Sequence, residues 1–155
     1  MDQQWKGGAT PMTMSFAELL KSDLHLSPSQ QQQLASELFP SVVENSHMQL
    51  WRPGEGLPSG GTEIWIGVAS YSIPDLEMLD DIEAKLSRQN AEDETIHLFD
   101  VSAFPEFRNF EDLLPGIGKV FQTPVIGIWE GGVLKERASG ARAMDWLAQR
   151  YRLST

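Results

Sequence analysis

Residues 122–134 read Gln-Thr-Pro-Val-Ile-Gly-Ile-Trp-Glu-Gly-Gly-Val-Leu and predict a β-hairpin. Pro124 precedes a short run of β-branched and aromatic residues, and a Glu-Gly-Gly turn leads into a second alternating run that continues to Ala138. Because proline cannot donate a hydrogen bond within a sheet, it is confined to strand starts, edges and turns, and Pro124 stands at a strand start. The hairpin indicates the fold much more than the function.

The composition excludes several classes of chemistry. The 155 residues include no cysteine, which excludes disulfides, thiolate metal sites and thiol redox chemistry. Twenty-two acidic and 12 basic side chains give a net charge of -10, the wrong sign for phosphate backbones or anionic lipid. We therefore expect no nucleic-acid partner and no membrane partner. The sequence shows neither a phosphate-binding glycine loop nor a set of metal ligands, and its first residues lack the pattern of a signal peptide. We expect no cofactor, no metal and a cytoplasmic location.

Two short amphipathic helices are predicted near the N-terminus. Ser15 and Glu18 have the spacing of a capping box, and Ser27 and Gln30 repeat it with a proline at the first helical position. Apolar residues follow each cap at helical spacing. We expect the second helix to end at Pro40, because proline breaks a helix interior.

A Pro/Gly-rich linker at residues 53–61 predicts a division of the chain into two parts. Residues 1–62 would form an N-terminal arm with the two short helices and the linker, and residues 63–155 would form an α/β domain. Residues 42–51 alternate weakly, so they could add a lone strand to the main sheet.

The C-terminal part alternates strand and helix patterns. Residues 63–69 are apolar on both faces, which is typical of a central strand. A helix with acidic residues in its first turn and basic residues in its last turn follows, and then a second strand that must be parallel to the first through a right-handed crossover. The predicted elements after residue 69 are a helix at 75–88, a strand at 95–101, a helix at 107–114, the hairpin, and a helix at 141–151. Their order is βαβαββα.

This order resembles the thioredoxin-like superfamily over roughly residues 63–153. Thr123-Pro124 stands where that family has a cis-proline beside its active site, and Gly140 precedes the last helix as the family's glycine does. Residues 71–75 read Tyr-Ser-Ile-Pro-Asp where the family has Trp-Cys-Gly-Pro-Cys, so both cysteines are absent. The resemblance implies a cis bond before Pro124. It also implies an α/β fold with a mixed sheet of four to five strands flanked by helices, here with an N-terminal helical extension.

The Ser72-Ile73-Pro74-Asp75 segment has alternative interpretations. From its residues alone it is another capping box, in which Ser72 caps the helix and Asp75 binds the backbone N–H of Ser72. Alternatively, Ser72 or the Tyr71 hydroxyl would bind a ligand thiolate at the helix N-terminus, although the Asp75 carboxylate would repel that thiolate. A nucleophilic Ser72 would need His97 as its base, but His97 lies within a strand and is better explained by packing. We expect no catalytic residue.

Asp100 closes the same strand as His97. It is either a buried acid near this segment or, more simply, a strand-end turn residue.

Three functions are compatible with these features. The first is a redox-inactive thioredoxin-like module that binds a protein partner, as an assembly factor, chaperone or complex subunit, because the family's proline loop pairs with extended peptides. The acidic composition favours a basic partner. The second is a glutathione or small-thiol binding protein or transferase that uses Ser72 and the backbone of Thr123. The third is a structural subunit of a homo-oligomer. The candidate binding residues are Tyr71, Ser72, Ile73, Pro74, Asp75, Thr123 and Pro124.

Overall fold

A mixed five-stranded sheet forms the centre of the computed structural model, which describes residues 15–20, 27–52, 61–88, 94–101 and 122–153. The order of the strands is β1-β3-β2-β4-β5. Strand β3 is parallel to both β1 and β2, whereas β4 is antiparallel to β2 and to β5. The strands are β1 (Gln49–Leu50), β2 (Thr62–Val68), β3 (Glu94–Asp100), β4 (Val125–Glu130) and β5 (Val133–Ser139). The central place of β2, the parallel β3 and the β4–β5 hairpin confirm the sequence predictions, and β1 is the lone strand that residues 42–51 could add.

Three α-helices and one short helical turn are described. They are the turn Ala17–Leu20, α1 (Pro28–Glu44), α2 (Ile73–Arg88) and α3 (Ala141–Tyr151). The capping box before α1 is confirmed, since the Ser27 hydroxyl accepts from the Gln30 N–H at 3.2 Å and the Gln30 side chain accepts from the Ser27 N–H at 2.8 Å. Ser15 and Glu18 form the same reciprocal pair around the turn. The helix predicted at 107–114 lies outside the described residues, and no described helix is long and apolar enough to cross a membrane.

Helix α1 continues through Pro40 to Glu44, so the prediction that Pro40 ends the helix is wrong. A proline in a helix interior removes one backbone hydrogen bond and crowds the preceding turn. Phe39, Val42 and Val43 lie on either side of Pro40 and are all buried. Their packing against the rest of the molecule stabilises the turn that proline would otherwise disrupt.

One face of the sheet carries the larger part of the core. Its even-numbered strand residues, such as Ile66 and Leu98, form one hydrophobic cluster with residues of α1, α2, α3 and the 17–20 turn. Helix α1 and this turn therefore pack in the same cluster as α2, although they belong to the predicted N-terminal arm. Residues 53–60 of the predicted linker lie outside the described residues, so the division after residue 62 stays a prediction.

The opposite face of the sheet carries an aromatic cluster. Trp51 makes edge contacts with Trp65 and with Phe99, at ring-centroid distances of 5.2 and 5.9 Å. The His97 ring stacks on Trp65 at 4.5 Å, and its Nε2 lies 2.6 Å from Oε1 of Glu63. His97 thus packs on the sheet face, as its place within a strand predicted.

Candidate functional site

Helix α2 begins at a loop in which Ser72 is the capping residue. The Ser72 hydroxyl accepts from the Asp75 N–H at 3.4 Å, and the Ser72 carbonyl accepts from the Leu76 N–H at 3.0 Å, which confirms the predicted cap. The second half of the predicted capping box is wrong. The Ser72 N–H donates to the carbonyl of Ala69 at 2.9 Å, so it does not need the Asp75 carboxylate. That carboxylate instead accepts from the Ala69 N–H at 3.1 Å.

Asp75 joins the loop before α2 to the loop before β4. Its side chain is only 2% exposed and forms hydrogen bonds with the side chains of Thr123 and Ser72 as well as with the Ala69 backbone. Burial raises the pKa of the Asp75 carboxyl above its usual range, because desolvation of the charged form outweighs these hydrogen bonds. The two predicted site segments, residues 71–75 and Thr123-Pro124, are therefore linked by one buried acid.

A second buried carboxylate binds the next backbone amide. Asp100 ends β3 in register with Val68 of β2, and its Oδ1 accepts from the Ser70 N–H at 3.4 Å. Its Oδ2 accepts from the Ser36 hydroxyl of α1 at 3.3 Å. Asp100 is thus a buried acid at this site, which was one of its two predicted alternatives. The amides of Ala69 and Ser70 each donate to a buried carboxylate, so the loop is fixed to both α2 and β3.

Two residues at this loop had no assigned role in the sequence analysis. Ser36 reaches the site from α1, and Ser70 is fully buried, with no hydrogen-bond partner for its hydroxyl within the part of the chain that the structure describes. The parallel strands give the one signal that could have found Ser70, since the carboxyl ends of β2 and β3 meet at the same edge of the sheet. Nothing local in the sequence points to Ser36.

The outer surface of the loop is apolar. Tyr71 is 49% exposed and Ile73 is 54% exposed, and Pro74 beside them is also exposed. Ser72 and Thr123 are half-buried, whereas Asp75 and Pro124 are buried. Only one other large hydrophobic side chain is exposed among the described residues, so this loop carries two of the three.

The Pro124 loop is fixed from its other side by the start of α3. The Thr123-Pro124 bond is cis, as the resemblance implied. The Gly140 N–H donates to the carbonyls of Gln122 and Pro124, both at 2.9 Å. Gly140 has a φ of +63°, and a Cβ there would lie 3.1 Å from the Gln122 side chain, which explains the glycine before the helix.

Comparisons with known proteins give matches in structure alone. No protein-family model and no curated protein matches the chain. Similar solved structures include thioredoxin O1 of Arabidopsis thaliana, with 15% identity, 70% of this chain and 99% of that chain covered, and a TM-score of 0.49. The thioredoxin of Malassezia sympodialis has 13% identity, coverages of 67% and 90%, and a TM-score of 0.49. A chain from a structural study of the yeast mitochondrial 1-Cys peroxiredoxin has 14% identity, coverages of 69% and 97%, and a TM-score of 0.46.

The topology agrees with the family that the sequence resembles. Strand β2 lies between a parallel β3, reached through α2, and an antiparallel β4 that follows a cis-proline. This strand order, with its cis-proline before β4, is the arrangement of a thioredoxin-like fold. At the place of the family's two cysteines, this thioredoxin-like chain has Ser72 and Asp75.

The small-thiol hypothesis stays a prediction. The Ser72 hydroxyl is engaged by the Asp75 N–H, and the buried Asp75 carboxyl stands in the first turn of α2. No three His, Asp or Glu side chains of the described residues are grouped so that they could hold a metal ion.

Asp75→Asn should change how stability depends on pH. The carboxyl has its pKa raised from 3.8 in the folded state, so the folded protein keeps a proton that the unfolded chain has already lost. The stability that this proton contributes is fully present below the unfolded pKa and is lost as pH rises through the folded pKa. Asparagine is uncharged at every pH and preserves the shape. We therefore expect the variant to gain stability relative to wild type as pH rises, by about 1.4 kcal/mol per unit of raised pKa.

Urea denaturation from about pH 4 to about pH 8 measures this difference. Asp145→Asn is the matched control, because Asp145 is an exposed acid on α3. It should shift the free energy of unfolding by less than about 0.5 kcal/mol at each pH. If plots of the free energy of unfolding against pH ran parallel for wild type and Asp75→Asn, the prediction would be wrong.

Proposed function

We propose that this thioredoxin-like protein is a redox-inactive module that binds a protein partner through residues 71–75 and the Thr123-Pro124 loop, as an assembly factor, chaperone or complex subunit. The chain has no cysteine, so it cannot form the mixed disulfide through which thiol–disulfide exchange proceeds. The function proposed for this loop is therefore binding without thiol redox chemistry.

The observation that carries the proposal is the exposure of Tyr71 and Ile73 on a loop that is itself fixed. Aromatic residues are enriched in the centres of protein interfaces, where a few such side chains provide most of the affinity. The loop amides of Ala69 and Ser70 are bound to buried carboxylates, so the loop needs little ordering when a partner docks. A preorganised surface loses less conformational entropy on binding.

The charge of the chain supports a basic partner. A net charge of -10 creates a long-range field that attracts positive surfaces and repels acidic ones. Such a field raises the rate of association and depends on salt, while the apolar side chains of the loop would determine the lifetime of the complex.

A Tyr71→Ala, Ile73→Asp double variant should lose its partner. Truncating one aromatic anchor and placing a charge beside it costs at least 2 kcal/mol in a typical interface hot spot, roughly a thirtyfold loss of affinity. Affinity capture with isotope-labelled quantification would compare the recovery of each native partner by wild type and variant. A captured partner would then be purified and titrated calorimetrically against both proteins.

Val133→Asp is the matched control for this experiment. Val133 is 55% exposed and begins β5. It pairs with Glu130 at the end of β4, whereas Pro124 precedes the start of β4, so the two positions lie at opposite ends of the hairpin strands. The control should keep the partner that the double variant loses, with both proteins folded by their amide NMR spectra. Equal recovery of every partner by a folded double variant would show that the loop is not the docking surface.

A further inference from the structure

Four acidic residues follow the first turn of α2, and they divide into two pairs. Asp80 and Glu83 accept from backbone N–H groups in the N-terminal part of the chain, so both have a structural role. Glu77 and Asp81 are exposed and form no hydrogen bond or ion pair with any other residue that the structure describes. They also lie beyond the first turn, within which the helix dipole favours acidic side chains. The fold therefore gives Glu77 and Asp81 no partner of their own.

The two unpartnered acids repel one another in the free protein. They stand four residues apart, so their side chains are neighbours on the helix surface, and like charges at this spacing destabilise a helix. Lys85 lies one turn after Asp81 but forms no ion pair with it. A positive group placed between the two carboxylates would replace repulsion by attraction. Such a group has to come from another molecule.

The same side of α2 continues into the exposed apolar loop. Ile73 lies one turn before Glu77, and Tyr71 directly precedes the helix. At 1.5 Å per residue, the two acids stand about 6 and about 12 Å along the helix from Ile73. Arg88 in the last turn is exposed and basic, so the sequence along the helix is apolar, acidic and then basic. The surface formed by Tyr71, Ile73, Glu77 and Asp81 is the α2 face.

We propose that the α2 face binds an amphipathic basic helix of a partner protein, with its apolar side chains on Tyr71 and Ile73 and its lysine or arginine side chains on the two acids. The apolar anchors belong to the proposed docking loop, so this interaction rests on the function proposed above. An extended segment would find few unpaired backbone groups here, because those of a helix interior bond within the helix. A partner helix satisfies its own backbone groups and docks through side chains spaced three or four residues apart.

A second copy of this chain is a poor occupant of the α2 face. Two such faces would bring four unpartnered carboxylates together and repel each other. Helix α3 carries the exposed Arg142 and Arg150, but its apolar residues Ala143, Leu147 and Tyr151 are buried in the core of its own chain. It therefore offers positive charge without apolar anchors. A separate basic helix with a free apolar side fits the surface better.

A labelled helical peptide tests this proposal. It has about 18 residues on an alanine background, with two leucines at one end and two lysines one and two turns further along the same side. Its fluorescence anisotropy should rise and saturate with wild-type protein at low salt. Glu77→Gln, Asp81→Asn should weaken the binding about fivefold, because two exposed ion pairs of modest strength are lost together. Tyr71→Ala, Ile73→Ala should weaken it at least tenfold.

Two controls separate the α2 face from general attraction. Glu130→Gln, Glu136→Gln removes the same charge from exposed positions of β4 and β5 and should leave binding nearly unchanged. A peptide of the same composition, with its lysines on the side opposite the leucines, cannot place both kinds of side chain on the α2 face. It should bind about fivefold more weakly than the first peptide.

Urea denaturation gives a second measurement on the acid variant. Because Glu77 and Asp81 repel one another, Glu77→Gln, Asp81→Asn should keep or raise the urea midpoint of the free protein while it weakens peptide binding. A lowered midpoint would mean that the two acids stabilise α2 itself, and the proposed role would be wrong.

The outcomes distinguish the α2 face from the loop on which it depends. Peptide binding that Tyr71→Ala, Ile73→Ala weakens but Glu77→Gln, Asp81→Asn leaves unchanged would overturn this proposal and leave the loop as a docking surface. It would also be overturned by no binding of the first peptide, equal binding of the second, an equal loss in the hairpin variant, or a wild-type dimer in sedimentation that the acid variant dissociates. Recovery of every native partner by a folded loop variant would instead contradict the proposed function itself.

Discussion

Phe39→Ala should lower the free energy of unfolding by about 3–5 kcal/mol, the usual cost of truncating a buried phenylalanine. Phe39 is 1% exposed, and its ring lies 6.0 Å from that of Phe16 in a tilted contact. Both rings belong to the cluster that includes the even-numbered residues of the sheet. The cavity left by the missing ring would therefore open between α1, the 17–20 turn and the sheet. The whole protein should then unfold at a lower urea concentration. Urea denaturation followed by tryptophan fluorescence measures the effect, since Trp65 is buried on the other face of the sheet.

Gln32→Ala is the control on the same helix. Gln32 is exposed, so its truncation should change the free energy of unfolding by less than about 0.5 kcal/mol. A Phe39→Ala protein with an unchanged fluorescence midpoint would mean that the packing of the Phe39 ring contributes nothing to the stability of the sheet. A curve with two transitions, the first of them in α1, would contradict the expected single cooperative loss.

The limits of local sequence signals are visible in α1. Its start was predictable, because Ser27 and Gln30 satisfy one another within one turn of the chain. Its end was not, because the apolar packing on either side of Pro40 is provided by residues distant in sequence. The same applies to the 17–20 turn, where the Asp80 carboxylate of α2 accepts from the Phe16 and Ala17 N–H groups at 2.7 and 3.0 Å. No pattern around residue 16 indicates a partner 64 residues away.

The candidate site was predictable in its components more than in its connections. The cap by Ser72, the cis bond before Pro124 and the glycine before α3 follow from local chemistry and from the family resemblance. The partners of Asp75 do not, since they depend on where the loop carbonyl of Ala69 lies in three dimensions. Once that carbonyl binds the Ser72 N–H, the carboxylate turns to the Ala69 N–H and to Thr123. The binding role of the exposed residues at this site stays a prediction.

Gly67→Ala should destabilise the protein by about 3 kcal/mol, near the upper end of the usual cost of overpacking a core. Gly67 lies in β2 between Phe99 of β3 and Val125 of β4. A Cβ at this position would lie 2.4 Å from Cε2 of Phe99 and 2.7 Å from Cγ2 of Val125. Both neighbours are fully buried in the aromatic cluster, so neither can move away without disturbing Trp51 or Trp65. Thermal and urea denaturation would measure the loss.

A double-mutant cycle with Phe99→Leu identifies the cause. Leucine has no atoms at the Cε2 and Cζ positions, so it removes the closest contacts of the new Cβ while the Val125 contact remains. Each single change should destabilise, and the double variant should be less destabilised than their sum by at least about 0.5 kcal/mol. Additive effects would mean that the loss arises elsewhere than in this contact. A favourable coupling would show that the ring of Phe99 is what requires a glycine at position 67. Phe99 is the residue next to Asp100, whose carboxylate accepts from the Ser70 N–H, so this close contact lies directly beside the strand end that binds the loop.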